Sequence, residues 1–330
     1  MTTYSAVMTT GIYCRPGCGA KPLARNVRTY EHPAAAEADG FRACLRCRPY
    51  RVAAPLGADA PELVCHAWQL IIGGVLDEGT EAALAARVGL STRHLRRLFL
   101  THVGATPDQL ARSRRAHFAR RLLDDTDLTV LDVAFASGFG SLRQFNRTMM
   151  EIFRASPTAL RARRQRADRL AADGGLTLRL PTVPGYSFAV VRSRLGARAV
   201  PGMEAVSGTT YLRTITVGGA PGLVEISPGG ADHLLLRAHL PYWEGLIHVV
   251  DRVRCLLGLE LGVWDPFEDS VRAVLNGDQL EAFVTRFGTH VPGLPGGLTH
   301  TFPTPSALAD ANPIDLPTGL LTLSGGRRSR

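Results

Sequence analysis

Residues 8 to 50 read MTTGIYCRPGCGAKPLARNVRTYEHPAAAEADGFRACLRCRPY. Four of the six cysteines of the chain fall here as Cys14-x3-Cys18, a spacer of 25 residues, then Cys44-x2-Cys47. Two close pairs separated by such a loop can converge on one tetrahedral Zn2+, with thiolate bonds of about 2.3 Å. Arg15, Lys21, Arg25, Arg28, Arg42, Arg46 and Arg48 crowd the same stretch, so the metal is expected within a cationic surface suited to phosphate. Spacing alone leaves two readings open, a structural zinc finger and a reactive zinc thiolate.

Outward from this stretch, the basic character continues and then stops. Residues 1 to 170 hold 25 Lys/Arg against 15 Asp/Glu, and residues 171 to 330 hold 13 against 14. The first half is therefore the expected nucleic-acid-binding half of a chain with formal charge +9. Its 330 residues suggest two or three domains. No run of eighteen apolar residues and no leader pattern occurs, which predicts a cytoplasmic protein without membrane contact or disulfides.

Arg51 to Pro61 reads as a Pro/Ala/Gly-rich linker, and about a hundred residues of helical pattern follow. They contain an internal repeat. Leu95 and Pro107 are twelve apart, as are Phe145 and Pro157, with the copies offset by 50. Each copy reads as a helix, a glycine turn, a second helix and a Thr-Pro or Ser-Pro stop, giving two helix-turn-helix units. In the first, Leu95, Leu98 and Phe99 are expected inward, leaving Arg93, His94, Arg96 and Arg97 to reach DNA. In the second, Leu142, Phe145 and Met149 are expected inward, leaving Arg143, Gln144, Asn146 and Arg147. Beyond Gly174-Gly175 the pattern changes to strands at Leu176–Leu180, Tyr211–Val217, Gly222–Ile226 and His233–Leu240, then an amphipathic helix over Tyr242–Leu257. Cys65 and Cys255 read as core residues.

Three resemblances follow from particular strings. TTGIYCRPGC and GFRACLRCRP resemble the methyl-phosphotriester-accepting domain of Ada-type DNA repair and adaptive-response proteins. This implies Zn2+ on Cys14, Cys18, Cys44 and Cys47. It also implies that Cys14 takes a methyl group irreversibly from a methylated backbone phosphate, making the chain a self-inactivating, single-turnover methyltransferase. Thr10, Arg15, Arg25 and Arg46 are the candidate DNA contacts of the module. Metal coordination keeps a thiolate available at neutral pH without a general base. Four thiolates around one dication carry a formal charge of minus two, and methylation lowers this to minus one, which should strengthen DNA binding and turn repair into a transcriptional signal.

LDVAFASGFGSLRQFNRTMMEIFRASPTALR, residues 131 to 161, resembles the second half of AraC-type regulators. It implies two recognition helices in successive major grooves and an activator that contacts RNA polymerase. LTLRLPTVPGYSF, GARAVPGMEAV and GLVEISPG resemble the saddle-like amino-terminal domain of AlkA-type glycosylases, and Asp265 to Leu275 resembles the entrance to their helix-hairpin-helix domain. The Gly-rich hairpin and catalytic Asp of those enzymes have no counterpart before Arg330, Asp310 and Asp315 coming too early, so base excision is not expected. The only Cys-His pair, Cys65-His66, opens a helix, so no second alkyl-transfer centre is expected either.

The expected architecture is multidomain α+β: a zinc-bound α+β module (1–52), an all-α double helix-turn-helix domain (62–168), a saddle-like α+β AlkA-type domain (174–258) and a truncated helical remnant (259–330). The expected function is alkylation repair coupled to adaptive-response regulation. The alternatives are a transcription factor whose zinc is purely structural and a degenerate 3-methyladenine glycosylase.

Overall fold

The computed structural model describes residues 3–53, 56, 60–165, 168–170, 175–309 and 311. Asp310, Asp315, Arg327 and Arg328 lie outside the described residues, as do parts of the expected linker and of the basic run before Arg169. Two compact units result. The first comprises Met1–Leu170, Pro181–Val183 and Trp243–Gly262, and the second Ala171–Leu180, Pro184–Tyr242 and Val263–Arg330.

The first unit opens with strands β1 (Tyr4–Val7), β2 (Ile12–Cys14), β3 (Val27–Tyr30) and β4 (Arg42–Ala43), in the sheet order β3-β1-β2-β4. β1 runs antiparallel to both neighbours, and β2 pairs parallel with β4. Helix α1 (Pro33–Ala38) starts on Pro33 and buries Ala34, Ala35 and Ala36, residues small enough for close helix packing. Of the expected linker, Ala53 and Leu56 are buried, so the chain there is partly packed.

The helical region consists of α2 (Glu62–Ile72), α3 (Val75–Glu78), α4 (Glu81–Arg87), α5 (Thr92–His102), α6 (Pro107–Asp125), α7 (Val130–Ala136), α8 (Leu142–Phe153) and α9 (Pro157–Ala162). The pairs α4–α5 and α7–α8 are the two helix-turn-helix units. Each turn uses a glycine with positive φ, Gly89 (+71°) and Gly138 (+77°), a conformation that a Cβ disfavours. At Gly138 a Cβ would also lie 2.9 Å from Asp77 Oδ2. Ser91 and Ser141 cap α5 and α8, accepting from the backbone N–H of His94 and Gln144. The Thr106-Pro107 and Ser156-Pro157 pairs act as starts: their hydroxyls cap α6 and α9, and proline at the first helical position lacks only an N–H that would go unpaired anyway. Leu95, Phe99, Phe145 and Met149 are fully buried, whereas Leu142, expected inward, is 38% exposed because it occupies the first turn of α8, ahead of the buried face.

Helix α6 carries many charges along its length. Its burial extends all round: Arg115, His117, Arg120, Asp124 and Asp125 are buried among its apolar residues. They are accommodated by partners, Arg115 by Asp77 (3.0 Å), His117 by Glu37 (2.7 Å) and Arg120 by Asp124 (2.9 Å).

The second unit is built on a five-stranded sheet ordered β5-β9-β8-β7-β6. Its first elements are β5 (Leu176–Pro181), α10 (Phe188–Ala197) and β6 (Glu204–Ser207). The antiparallel strands β7 (Thr210–Val217), β8 (Ala220–Pro228) and β9 (His233–His239) follow. Helix α11 (Leu246–Leu256) belongs to the first unit, although its sequence lies within the expected 174–258 domain. It ties into that unit through Asp251 with Arg114 and through His248 Nε2, 2.7 Å from Asp77 Oδ2. The second unit resumes with α12 (Pro266–Val274), α13 (Gly277–Phe287) and α14 (Pro305–Ala309). Val200, Met203, Val271, Phe283 and Val284 form its helical core. Among the described residues, no helix is long and apolar enough to cross a membrane.

A buried ion network staples this unit. Arg213 on β7 donates to Glu204 (2.5 Å) and to both oxygens of Glu268, lies 4.3 Å over the Trp264 ring, and is 2% exposed. Burial alone would raise the Glu204 pKa, but Arg213, Arg272 and the Tyr211 hydroxyl outweigh it and hold it below the ordinary carboxylate value. Removing one partner of such a set strands the others, so Arg213→Ala is expected to destabilise the second unit by about 3–5 kcal/mol. In urea denaturation, wild-type stability should also fall as acid protonates Glu204, because a depressed folded pKa contributes stability above the unfolded value and loses it below. A variant with an unchanged urea midpoint at neutral pH would contradict this account.

Candidate zinc centre and nucleic-acid interface

The cysteine cluster is a product of local backbone geometry. β2 ends at Cys14, and its parallel pairing with β4, extended by the Cys44 N–H to Tyr13 carbonyl bond (3.0 Å), sets Cys44 beside it. A tight turn through Gly17 brings Cys18 back, its N–H donating to the Arg15 carbonyl at 3.3 Å. At the other pair, the Cys47 N–H donates to Cys44 Sγ at 3.4 Å, the turn expected of a thiolate ligand pair. The four Sγ atoms lie within 4.8 Å of one another. Tetrahedral bonds of about 2.3 Å require sulfur separations of about 3.8 Å, so the cluster fits Zn2+ in donor type and spacing.

Electrostatics point the same way. As thiols, hydrogen bonding with Cys47, burial and the neighbouring sulfurs push Cys14 far up, whereas the bond from Cys14 helps push Cys47 down to about 5. Burial also raises Cys44. A dication at the centre is the natural counter-charge for such a crowd. Cys14 is the most enclosed member at 6% exposure, and the other three are half-buried.

The arginines expected around the centre divide into two groups. Arg25 and Arg46 are exposed and Arg15 half-buried, with Thr10 also exposed. The Arg46 guanidinium reaches across the Cys18 turn, 3.3 Å from where a Cβ on Gly19 would lie. Arg48 belongs to the interior: it is 7% exposed, adopts φ +54°, and pairs with Asp168 (2.6 Å) and Asp124 (3.4 Å). It therefore anchors the module and is spent on packing, not on the cationic face.

Immediately before Cys14, Tyr13 is fully buried and its hydroxyl donates to Glu37 Oε1 (2.5 Å), with His117 Nε2 of α6 2.9 Å from the same hydroxyl. The zinc cluster and the helical core thus share one buried polar group. Sequence reading missed Tyr13, Glu37 and His117; the cue was a buried-looking tyrosine abutting a ligand.

On the helix-turn-helix units, Arg93, Arg96 and Arg97 are exposed on α5 with His94 half-buried, and Arg143, Asn146 and Arg147 are exposed on α8 with Gln144 half-buried. Arg96 pairs with Glu81, whose side chain is only 9% exposed and also accepts from the Asp108 N–H, whereas Arg147, 3.8 Å from Glu151, is in a pair exposed on both sides that exchanges readily.

A zinc module joined to an AraC-type double helix-turn-helix domain defines a DNA-binding regulator. Three family models match the chain: the metal binding domain of Ada over residues 2–50, a helix-turn-helix domain over 84–163, and the AlkA N-terminal domain over 177–294. The "Probable bifunctional transcriptional activator/DNA repair enzyme AlkA" of Mycobacterium tuberculosis is 37% identical over 349 aligned positions, covering 93% of this chain and 70% of that one. The "Bifunctional transcriptional activator/DNA repair enzyme Ada" of Escherichia coli is 34% identical over 151 residues, 44% of this chain and 41% of that protein. The corresponding AdaA of Bacillus subtilis is 28% identical over 143 residues, 43% of this chain and 66% of that one. The chain belongs to the family of bifunctional transcriptional activator/DNA repair enzymes of the Ada/AlkA type.

Purified protein should contain one Zn2+ per chain, and stripping it with a chelator should lower the helical signal of the first unit, as metal-binding energy is also folding energy. Metal analysis and circular dichroism after chelation check this; full helicity without zinc would show the module to be energetically independent.

Proposed function

We propose that the chain repairs methyl phosphotriesters in DNA by one irreversible transfer to Cys14 and that the methylated form activates alkylation-response genes. The observation that carries this reading is the convergence of Cys14, Cys18, Cys44 and Cys47 on one centre beside exposed arginines. In it all four cysteines are ligands. Zn2+, when bound, holds their sulfurs deprotonated at neutral pH.

Cys14 Sγ attacks the methyl carbon of the lesion. An S–C bond forms, the C–O bond breaks, and the electron pair leaves with the phosphate oxygen, so a neutral triester becomes an anionic diester and Cys14 becomes a thioether. No proton moves, and no general base is required. Burial of Cys14 leaves its sulfur poorly hydrated and accessible only to a small group, which favours a methyl carbon over larger substituents. Arg46, Arg25, Arg15 and Thr10 hold the flanking phosphates. The net charge of the centre rises from minus two to minus one, relieving repulsion against the DNA backbone.

The helices α5 and α8 then read bases in successive major grooves through Arg93, His94, Arg96, Arg97, Arg143, Gln144, Asn146 and Arg147, and a DNA-bound activator of this kind recruits RNA polymerase. A structural-zinc regulator differs in one measurable respect. With DNA carrying labelled methyl phosphotriesters, wild type should acquire at most one label per chain, on Cys14, and bind DNA more tightly afterwards; Cys14→Ser should bind DNA without labelling or enhancement. An unlabelled but zinc-loaded wild type would leave only the regulator.

Base readout and phosphate contact separate in a second experiment. Gln144→Ala should relax discrimination at one operator position by about 1–3 kcal/mol, whereas Arg46→Ala should weaken binding across sequences and lower the log–log salt slope by about one. Titration of operator and scrambled duplexes at several salt concentrations checks both.

A further inference from the structure

The first unit contains a cavity of about 140 Å³ among the zinc module, α2, α6 and α11. Six aromatic rings border it, those of Tyr4, His32, Tyr50, Trp68, His117 and Phe118. The His32 ring packs against Trp68 with centroids 5.4 Å apart and planes tilted by 51°, and burial lowers its pKa, favouring a neutral imidazole. Arg114, Arg121 and Arg254 also border the cavity, against the two carboxylates Asp251 and Glu260.

The charges do not balance. Arg114 is paired with Asp251, and Arg254 donates to Glu260 at 3.2 Å, while Glu260 also accepts from Trp68 Nε1 at 3.2 Å. Arg121 is left over. Among the described residues its hydrogen bond is a long one, 3.4 Å to the Tyr50 carbonyl, and no carboxylate lies within ion-pair distance. Burial and the neighbouring Arg254 push its pKa down to about 10 against the more distant pull of Asp125 and Asp251, and its guanidinium lies 5.9 Å over the Phe118 ring. The half-buried Arg121 guanidinium presents a fork of donors suited to a carboxylate, and aromatic walls suit a flat apolar body. A cavity of this size admits one six-membered ring.

We propose that this cavity binds a small planar organic monoanion, an aromatic carboxylate whose oxygens sit on Arg121 and whose ring lies among Tyr50, Trp68 and Phe118. Because Tyr50 belongs to the zinc module and Trp68, Phe118 and Arg121 to the helical domain, the ligand would be a second input to the regulator, independent of the methyl transfer proposed above. Occupancy would stabilise the arrangement in which these segments meet.

The test uses the zinc-loaded full chain and benzoate, followed by calorimetric titration. One saturable site is expected, with a dissociation constant between about 10 µM and 1 mM for a ligand of this size. Benzyl alcohol, similar in shape but neutral, should bind at least tenfold more weakly, and Arg121→Gln should lose at least tenfold toward benzoate. Ser113→Leu, which fills the cavity from α6, should abolish binding; should it fail to fold by circular dichroism, Arg121→Gln still decides. Absence of saturable benzoate binding to wild type, equal binding of benzyl alcohol, or unweakened benzoate binding by folded, zinc-loaded Arg121→Gln would each overturn the proposal.

Discussion

Asp124 is the group on which the first unit turns. It is fully buried on α6 and is approached by the Tyr50 hydroxyl, by Arg48 and by Arg120. A carboxylate in that position is tolerable only while its partners stay in place, because an unpaired buried charge is far costlier than the net gain of the pair. Two of the partners, Arg48 and Tyr50, follow Cys47 directly in the chain. The ligand loop and the helical core are therefore fixed by the same charge, and neither can relax without exposing it. The left-handed backbone of Arg48 is a conformation that a non-glycine residue sustains only when its surroundings hold it, and here the two aspartates do so.

The zinc centre is held from its other side by Tyr13. Its hydroxyl, shared with Glu37 and His117, fixes β2 against α1 and α6 one residue before Cys14. The position of Cys14 is thus set by the backbone around it. As a residue Cys14 is more enclosed than Cys18, Cys44 and Cys47.

Local signals were the legible ones. The Cys14/Cys18 and Cys44/Cys47 spacings foretold the cluster, and Gly89 and Gly138 foretold the two turns because a positive φ leaves its mark on a single residue. Four strands of the second unit showed in alternation, although β6 did not: it has four residues, and its Glu204 is polar in sequence and buried in the fold. What sequence could not disclose was pairing over distance. Arg48 read as one more surface cation until Asp124 and Asp168 took it inward, the charges of α6 found partners on segments far away in the chain, and α11 kept its predicted apolar face but belongs to the first unit. Charge type is written in the chain, but whether a charge meets water or a counter-charge is decided only by topology.

The short path from Cys47 through Arg48 and Tyr50 to α6 carries one more implication. Lesion chemistry and operator recognition are commonly pictured as separable modules on a string, yet here the metal knuckle and the scaffold of both reading helices share a single electrostatic keystone. A cell short of zinc, or one whose oxidants reach these thiols, would on this architecture loosen the metal knuckle and the support of both reading helices together.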